Sequence, residues 1–139
     1  MAGWASYDLS AEILNFFYRG QVISIGPSLY LRLLVSPSSR DGGGTETNYS
    51  GYSRLELPRT TSGIWANAPS GGRLTNATVL TVGSIANSLG NGELNSFDIV
   101  DTPSGAVGKI YNGGPIVPPR VVVIGKVVKF RAGALLITF

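Results

Sequence analysis

Carboxylates are the first residues of this 139-residue chain to consider, because paired carboxylates bind Ca²⁺ or hydrolyse glycosidic bonds. Asp98 and Asp101 lie three residues apart near a predicted strand end. They could contribute to a Ca²⁺ site, but the pattern favours aspartates that accept hydrogen bonds from their own turn backbone. Glu56 and Glu93 are the pair that a glycosidase would need, yet nothing in the sequence brings them together. We predict no catalytic residue and no metal site.

Two residue types that carry much of protein chemistry are missing from the chain. It has no cysteine and no histidine, which excludes disulfides, thiolate chemistry, zinc sites and Ser-His-Asp triads. We predict no cofactor. The net charge of +3 comes from 11 basic residues spread along the chain. No cluster stands out in the sequence, so we expect no nucleic-acid partner.

Length and composition predict the fold class. A chain of 139 residues is expected to form one domain, residues 1–139. Its 19 glycines and 8 prolines interrupt many short apolar runs, which is typical of a mainly β protein. We predict an antiparallel, jelly-roll-like β-sandwich of about eight strands with one N-terminal α-helix. No apolar run reaches the roughly 18 residues of a membrane span, and no secretion signal is visible, so we expect cytoplasmic synthesis and no membrane partner.

The helix is predicted over residues 6–19. Ser6 or Asp8 can cap its start, and Gly20 can end it in the left-handed conformation. A wide apolar stripe follows one face: Leu9, Ile13, Phe16 and Phe17.

Two interpretations of the helix stripe are open. It packs on the sheet of its own chain, or it also packs on a second subunit or a larger assembly. In the second case Trp4 and Tyr7, at the start of the helix, would be anchors, because large aromatic residues dominate interface energetics. We therefore select Trp4 and the four stripe residues as the candidate assembly interface.

The strands are predicted from apolar alternation between glycines and prolines. We expect residues 93–101 and 125–139 to form the sheet on which the chain packs. Because the chain stops on Phe139 inside an apolar run, its last strand should be paired. Further strands are predicted at 28–36 (stopped by Pro37), 49–59, 79–82, 106–111 and 120–124, with flexible loops at 38–48 and 112–119.

Aromatic and charged residues in or beside the polar loops form a second candidate surface. Aromatic side chains give large contact area at low entropic cost, so they suit binding of a glycan or a protein. Alternatively, Tyr52 and Trp65 simply cover the end of the core. The candidate outward contacts are Arg40, Asp41, Tyr49, Tyr52 and Trp65.

The order of several short motifs resembles a family of small tail-fibre-like virion proteins of tailed bacteriophages. The resemblance covers residues 8–139, although Lys126 stands where the family more often has an acidic residue. The motifs are the helix at 9–20, the strand at 29–35, the glycine-rich loop ending in Thr45-Glu46, the strand at 50–54 with Tyr52 and Arg54, the strand at 97–101 followed by Ser104-Gly105, and the tail from Pro119-Arg120 to Leu135.

The resemblance implies a non-enzymatic structural protein of the phage particle: a tail-fibre, collar, neck or head-decoration component. It implies a homo-oligomer, preferably a trimer by analogy with phage fibres, and other virion proteins as partners. The virion would be its location, after synthesis in the cytoplasm of the bacterial host. An alternative is a module that binds a host-surface glycan, and a weaker one is an enzyme acting on host polysaccharide.

Overall fold

The computed structural model of the chain describes residues 3–60, 63–66 and 72–138. In these residues it contains one helix, α1 (Tyr7–Arg19), and ten strands. The strands are β1 (Trp4–Ala5), β2 (Ser28–Ser39), β3 (Gly42–Glu46), β4 (Leu55–Pro58), β5 (Arg73–Thr75), β6 (Leu80–Val82), β7 (Leu94–Val100), β8 (Ile110–Arg120), β9 (Val128–Phe130) and β10 (Leu136–Thr138).

Local sequence explains both ends of α1. The Ser6 hydroxyl accepts a hydrogen bond from the Leu9 amide at 3.1 Å, which satisfies one of the free N–H groups of the first turn. Gly20 ends the helix at φ 65°, in the left-handed region that glycine adopts without strain. The predicted helix and both of its caps are therefore confirmed, with the boundary shifted by one residue.

A large antiparallel sheet forms the centre of the protein. Its strand order is β1-β8-β7-β2-β3, and β4 also pairs with the first half of β2. The two central strands are β2 and β7. Successive side chains of a strand point to opposite faces of the sheet, and in both strands the large apolar side chains point to the same face. Leu31 lies opposite Ile99 there, and Leu33 lies opposite Phe97.

The core lies between this face of the large sheet and two small ladders. The ladders are β6–β9 and β5–β10, each of two antiparallel strands. Leu31, Leu33 and Phe97 of the large sheet share one buried cluster with Val82 and Phe130 of the ladders. Layers of antiparallel strands thus face each other across a common core, which confirms the predicted mainly β, sandwich-like fold with its N-terminal helix.

Several predicted boundaries are wrong. Pro37 does not end its strand, because β2 continues to Ser39 and pairs there with β3. Residues 42–46, predicted as part of a flexible loop, form β3. The predicted loop at 112–119 is the middle of β8. The number of strands is accordingly ten in the described residues, not about eight.

The end of the chain also differs from the prediction. Residues 121–124 form no strand, and among them only Val122 is buried. β9 and β10 do not join the large sheet; they pair with β6 and β5 on the opposite side of the core. The last strand is paired, as expected, up to Thr138. Phe139 lies outside the described residues.

Candidate functional site

The second half of α1 and the residues after it expose several large apolar side chains. No residue of the helix is fully buried. Leu9 and Ile13 of the predicted stripe are half-buried, whereas Phe16 is 50% and Phe17 73% exposed. The rings of Phe16 and Phe17 meet edge to face at 5.5 Å. We call the exposed apolar residues of this segment the helix patch: Leu14, Phe16, Phe17, Tyr18 and Val22.

Contacts at the start of the helix fix it to the body. The Ser6 amide donates to the Tyr111 carbonyl at 2.7 Å. Glu12 forms an ion pair with Lys109, and this hydrogen bond and charge raise the pKa of Lys109. The Arg40 guanidinium covers the Tyr7 ring at 4.5 Å. The helix patch is therefore carried by an element whose position is set by several independent contacts.

Trp4 lies in β1, next to the sheet and half-buried. Its indole covers Gly113, its register partner in β8. A Cβ atom at Gly113 would lie 2.4 Å from the Trp4 ring, so only glycine permits this contact. Trp4 thus attaches the start of the chain to its own sheet. The predicted assembly role of Trp4 stays a prediction.

The five candidate outward contacts occupy different environments. Arg40 and Asp41 lie on the exposed turn between β2 and β3. Tyr49 is buried at 2% exposure, and Tyr52 and Trp65 are half-buried against the core. The structure brings Arg40 beside the start of α1, since its Nε donates to the Ala5 carbonyl at 2.8 Å. The outward set therefore does not form one surface, and its exposed part adjoins the helix.

A buried ion pair joins the two central strands. Arg32 and Asp98 are register partners in β2 and β7. The Asp98 carboxylate accepts hydrogen bonds from Arg32 Nε at 2.8 Å and Nη2 at 2.6 Å, and from Ser38 Oγ at 2.8 Å. Arg32 Nη2 also donates to the Gly43 carbonyl of β3 at 3.2 Å. Burial opposes the charge of Arg32, but the hydrogen bond and charge of Asp98 outweigh it and raise the pKa of Arg32.

A second network of hydrogen bonds joins four segments of the chain: β2, the end of β3, residues 52–54 and the turn at 102–105. Glu46, the last residue of β3, accepts from Arg54 Nε at 2.9 Å, from Arg54 Nη2 at 2.8 Å and from the Tyr52 hydroxyl at 2.7 Å. Arg54 also donates to the carbonyls of Thr102 at 3.0 Å and Gly105 at 2.7 Å. The Leu33 amide donates to the Tyr52 hydroxyl. The Tyr52 ring is thus a structural group, and its burial and its bond to Glu46 raise the pKa of Tyr52.

The Glu46 network predicts a specific acid sensitivity. Burial opposes ionisation of Glu46, but the hydrogen bonds of Arg54 and Tyr52 and the charge of Arg54 outweigh it and lower the pKa of Glu46. A carboxylate with a lowered pKa stabilises the fold above its unfolded pKa of about 4.3, and this stability is lost as the pH falls through the folded value. We expect the urea midpoint to fall from neutral pH towards about pH 3, and to fall less in Glu46→Gln.

The matched control for this experiment is Glu56→Gln, which changes an exposed carboxylate in the neighbouring strand β4. It should retain the wild-type dependence of the urea midpoint on pH. Identical profiles for Glu46→Gln and the wild type would contradict the assignment.

The two aspartates of the considered Ca²⁺ pair accept hydrogen bonds from different parts of the protein. Asp101 accepts hydrogen bonds from the amides of Gly108 and Lys109 at 3.1 and 2.9 Å, which is the predicted turn interaction. Asp98 instead belongs to the ion pair, which the sequence did not indicate. Within the described ranges there is no group of three or more possible metal ligands. The one described helix is too short to span a bilayer.

Together the geometry defines a class: a β-rich protein, held by internal ion pairs, that exposes large apolar side chains near the end of its described helix. Comparison with known families identifies the family to which the chain belongs. Residues 4–138 match the family described as "Podophage GP4 fiber I protein gp80", and the chain belongs to this family. The match confirms the resemblance to tail-fibre-like virion proteins, so the chain is a structural phage-fibre protein of the virion. No curated protein matches the chain.

Proposed function

We propose that this fibre protein assembles on the phage particle as a homo-oligomer, and that the helix patch is its subunit interface. The observation that carries the proposal is the exposure of five large apolar side chains on one short segment, with Tyr18 at 83% and Val22 at 89%. Contiguous exposed apolar residues of this size mark interaction surfaces, because water contact with them is unfavourable.

The helix patch is suited to association in two further ways. Aromatic residues dominate the binding energy of interfaces, and three of the five patch residues are aromatic. The helix is fixed at its start by Glu12, Arg40 and Ser6, so association orders little additional backbone. A cyclic trimer is the proposed state, by analogy with phage fibres. In such a trimer the helix patches of the three copies would meet around the threefold axis, where equivalent residues face one another.

The proposed role is mechanical and uses no catalytic residue. After synthesis in the host cytoplasm the oligomer joins the virion, where other virion proteins are its partners. Antibody labelling of an N-terminal tag in electron micrographs of particles should mark the fibres rather than the collar, neck or head. Absence of the protein from purified particles would contradict this placement.

The oligomeric state provides the direct test. Light scattering after size-exclusion chromatography should give three times 14.6 kDa for the wild type at micromolar concentration. The double variant Phe17→Ser/Tyr18→Ser should elute as a monomer with an unchanged circular dichroism spectrum, because both side chains are exposed and leave the core intact.

The matched control changes two exposed apolar residues away from the helix, Leu89→Ser and Ile124→Ser, which are 55% and 59% exposed. This variant should keep the wild-type mass. A monomeric wild type, or equal effects of the two double variants, would overturn the assignment of the interface to the helix patch.

A further inference from the structure

The prediction that the basic residues are spread along the chain without a cluster is wrong for its last part. Residues 1–101 contain all eight acidic residues and six basic ones, whereas residues 102–139 contain five basic residues and no acidic one. Four of those five lie between positions 120 and 131: Arg120, Lys126, Lys129 and Arg131. The last part of the chain is therefore positively charged without local compensation.

The fold places part of this charge around an open cleft of about 710 Å³. Arg120 enters the cleft from the end of β8, and Arg131 enters it from the residue after β9. The remaining wall is aliphatic and is formed by Val117, Pro118 and the turn at 132–134. Lys129 alternates with the buried residues on either side of it, so it is exposed on the same side of β9 as Arg131.

The charges of the cleft have no acidic partner in the part of the chain that the structure describes. The described residues form three ion pairs, and these involve Arg32, Arg54 and Lys109, not the basic residues of the cleft. Glu93 adjoins Leu94, the register partner of Arg120, but forms no ion pair with it. Two arginines without a carboxylate partner, beside an exposed lysine, form a positively charged surface that favours binding of an anion.

Arg120 is held in place before any ligand binds. Its guanidinium lies 5.1 Å from the centre of the Phe130 ring. Its Nη1 donates to the Lys129 carbonyl at 2.9 Å. Because the Phe130 ring and the Lys129 carbonyl already hold the guanidinium, it loses little conformational freedom when a ligand binds. Its remaining N–H donors can bind the two oxygens of a carboxylate or a phosphate.

We propose that this cleft binds an anionic polysaccharide through the carboxylate or phosphate groups of its sugars. The cleft lining contains no aromatic side chain on which nucleic-acid bases could stack, and stacking supplies much of the affinity for single strands. The lining of the cleft includes no residue of the helix patch. Along the sheet the cleft lies about 17 Å from Asn112, the β8 residue paired with Ala5 before α1, because Arg120 pairs with Leu94 and Asn112 pairs with Ile99. Binding there is therefore independent of the proposed assembly through the helix patch.

Titration calorimetry with three polymers tests the proposal: polygalacturonate, neutral dextran and double-stranded DNA. The site variant is Lys129→Ala/Arg131→Ala, which leaves Arg120 and the Lys129 carbonyl in place. The control is Arg19→Ala/Arg73→Ala, which removes the same charge from two exposed residues elsewhere. Circular dichroism verifies that both variants are folded.

We expect the wild type to bind polygalacturonate and not dextran. The site variant should bind polygalacturonate at least about tenfold more weakly, because each lost charged hydrogen bond contributes about that factor. The control variant should bind it with an affinity within about twofold of the wild type. The proposal is overturned if the wild type does not bind polygalacturonate, or if both variants lose affinity equally. It is also overturned if DNA binds as tightly as polygalacturonate with the same loss in the site variant.

Discussion

Replacing Asp98 with alanine is expected to lower the free energy of unfolding by about 3–5 kcal/mol. The Asp98 side chain is 0% exposed and its partner Arg32 is 8% exposed. Removing the carboxylate leaves a guanidinium charge between the two central strands with no counter-charge, and leaves the Ser38 hydroxyl without its acceptor. Urea unfolding followed by tryptophan fluorescence measures the loss directly.

Two further variants separate the ion pair from general effects of mutation. Asp41→Ala removes an exposed carboxylate and should change stability by no more than about 0.5 kcal/mol. The double variant Arg32→Met/Asp98→Leu should recover most of the loss, because two apolar residues remove both buried charges together. An unchanged midpoint for Asp98→Ala would show that the pair contributes nothing.

The helix and the central strands could be predicted because their signals are local. Ser6 and Gly20 define the ends of α1, and the alternation around Leu31 and Leu33 defines the buried face of β2. In each case the residues that determine the structure lie within a few positions of one another. These patterns are the ones that period and capping rules describe.

The strands that the sequence did not predict, β3 and β8, are rich in glycine. Contacts with residues far along the chain explain why glycine is needed there. Gly42, Gly43 and Gly44 all have φ between 81° and 117°, so β3 needs glycine where propensity indicates a loop. In β8, Gly113 lies against Trp4 and Gly114 lies against Phe97. A larger residue at these positions would clash with a neighbour that lies far along the chain, and the sequence alone does not reveal that neighbour.

The ion pairs cannot be predicted from the sequence for the same reason, although Asp98, Glu46 and Arg54 belong to the motifs of the family resemblance. The family resemblance contains three separate motifs here: Thr45-Glu46, the segment with Tyr52 and Arg54, and the turn at Ser104-Gly105. The segment with Tyr52 and Arg54 is predicted as a strand, but the only strand there begins at Leu55, among the described residues. In the structure the three motifs are one network around Glu46. An arginine such as Arg32 between two buried leucines was the available signal, because a charge on a buried strand requires a partner.

Arg54→Leu is expected to lower the free energy of unfolding by about 3 kcal/mol, because it breaks a largely buried pair and leaves Glu46 uncompensated. The Arg54 side chain is 3% exposed and joins β3 to the turn at 102–105. Arg59→Leu is the matched control. Arg59 also donates to backbone carbonyls, those of Ile25 and Gly26, but it is exposed and forms no ion pair with a carboxylate of the described residues. The control should lose less than about 1 kcal/mol.

A double-mutant cycle with Glu46→Gln assigns the loss to the pair itself. If Arg54 acts through Glu46, the two substitutions are not additive, and their coupling energy should be about 1–3 kcal/mol. The remaining effect of Arg54→Leu then measures its hydrogen bonds to Thr102 and Gly105. Full additivity would mean that Arg54 stabilises the fold by closing that turn alone, and that the contact with Glu46 only accompanies it.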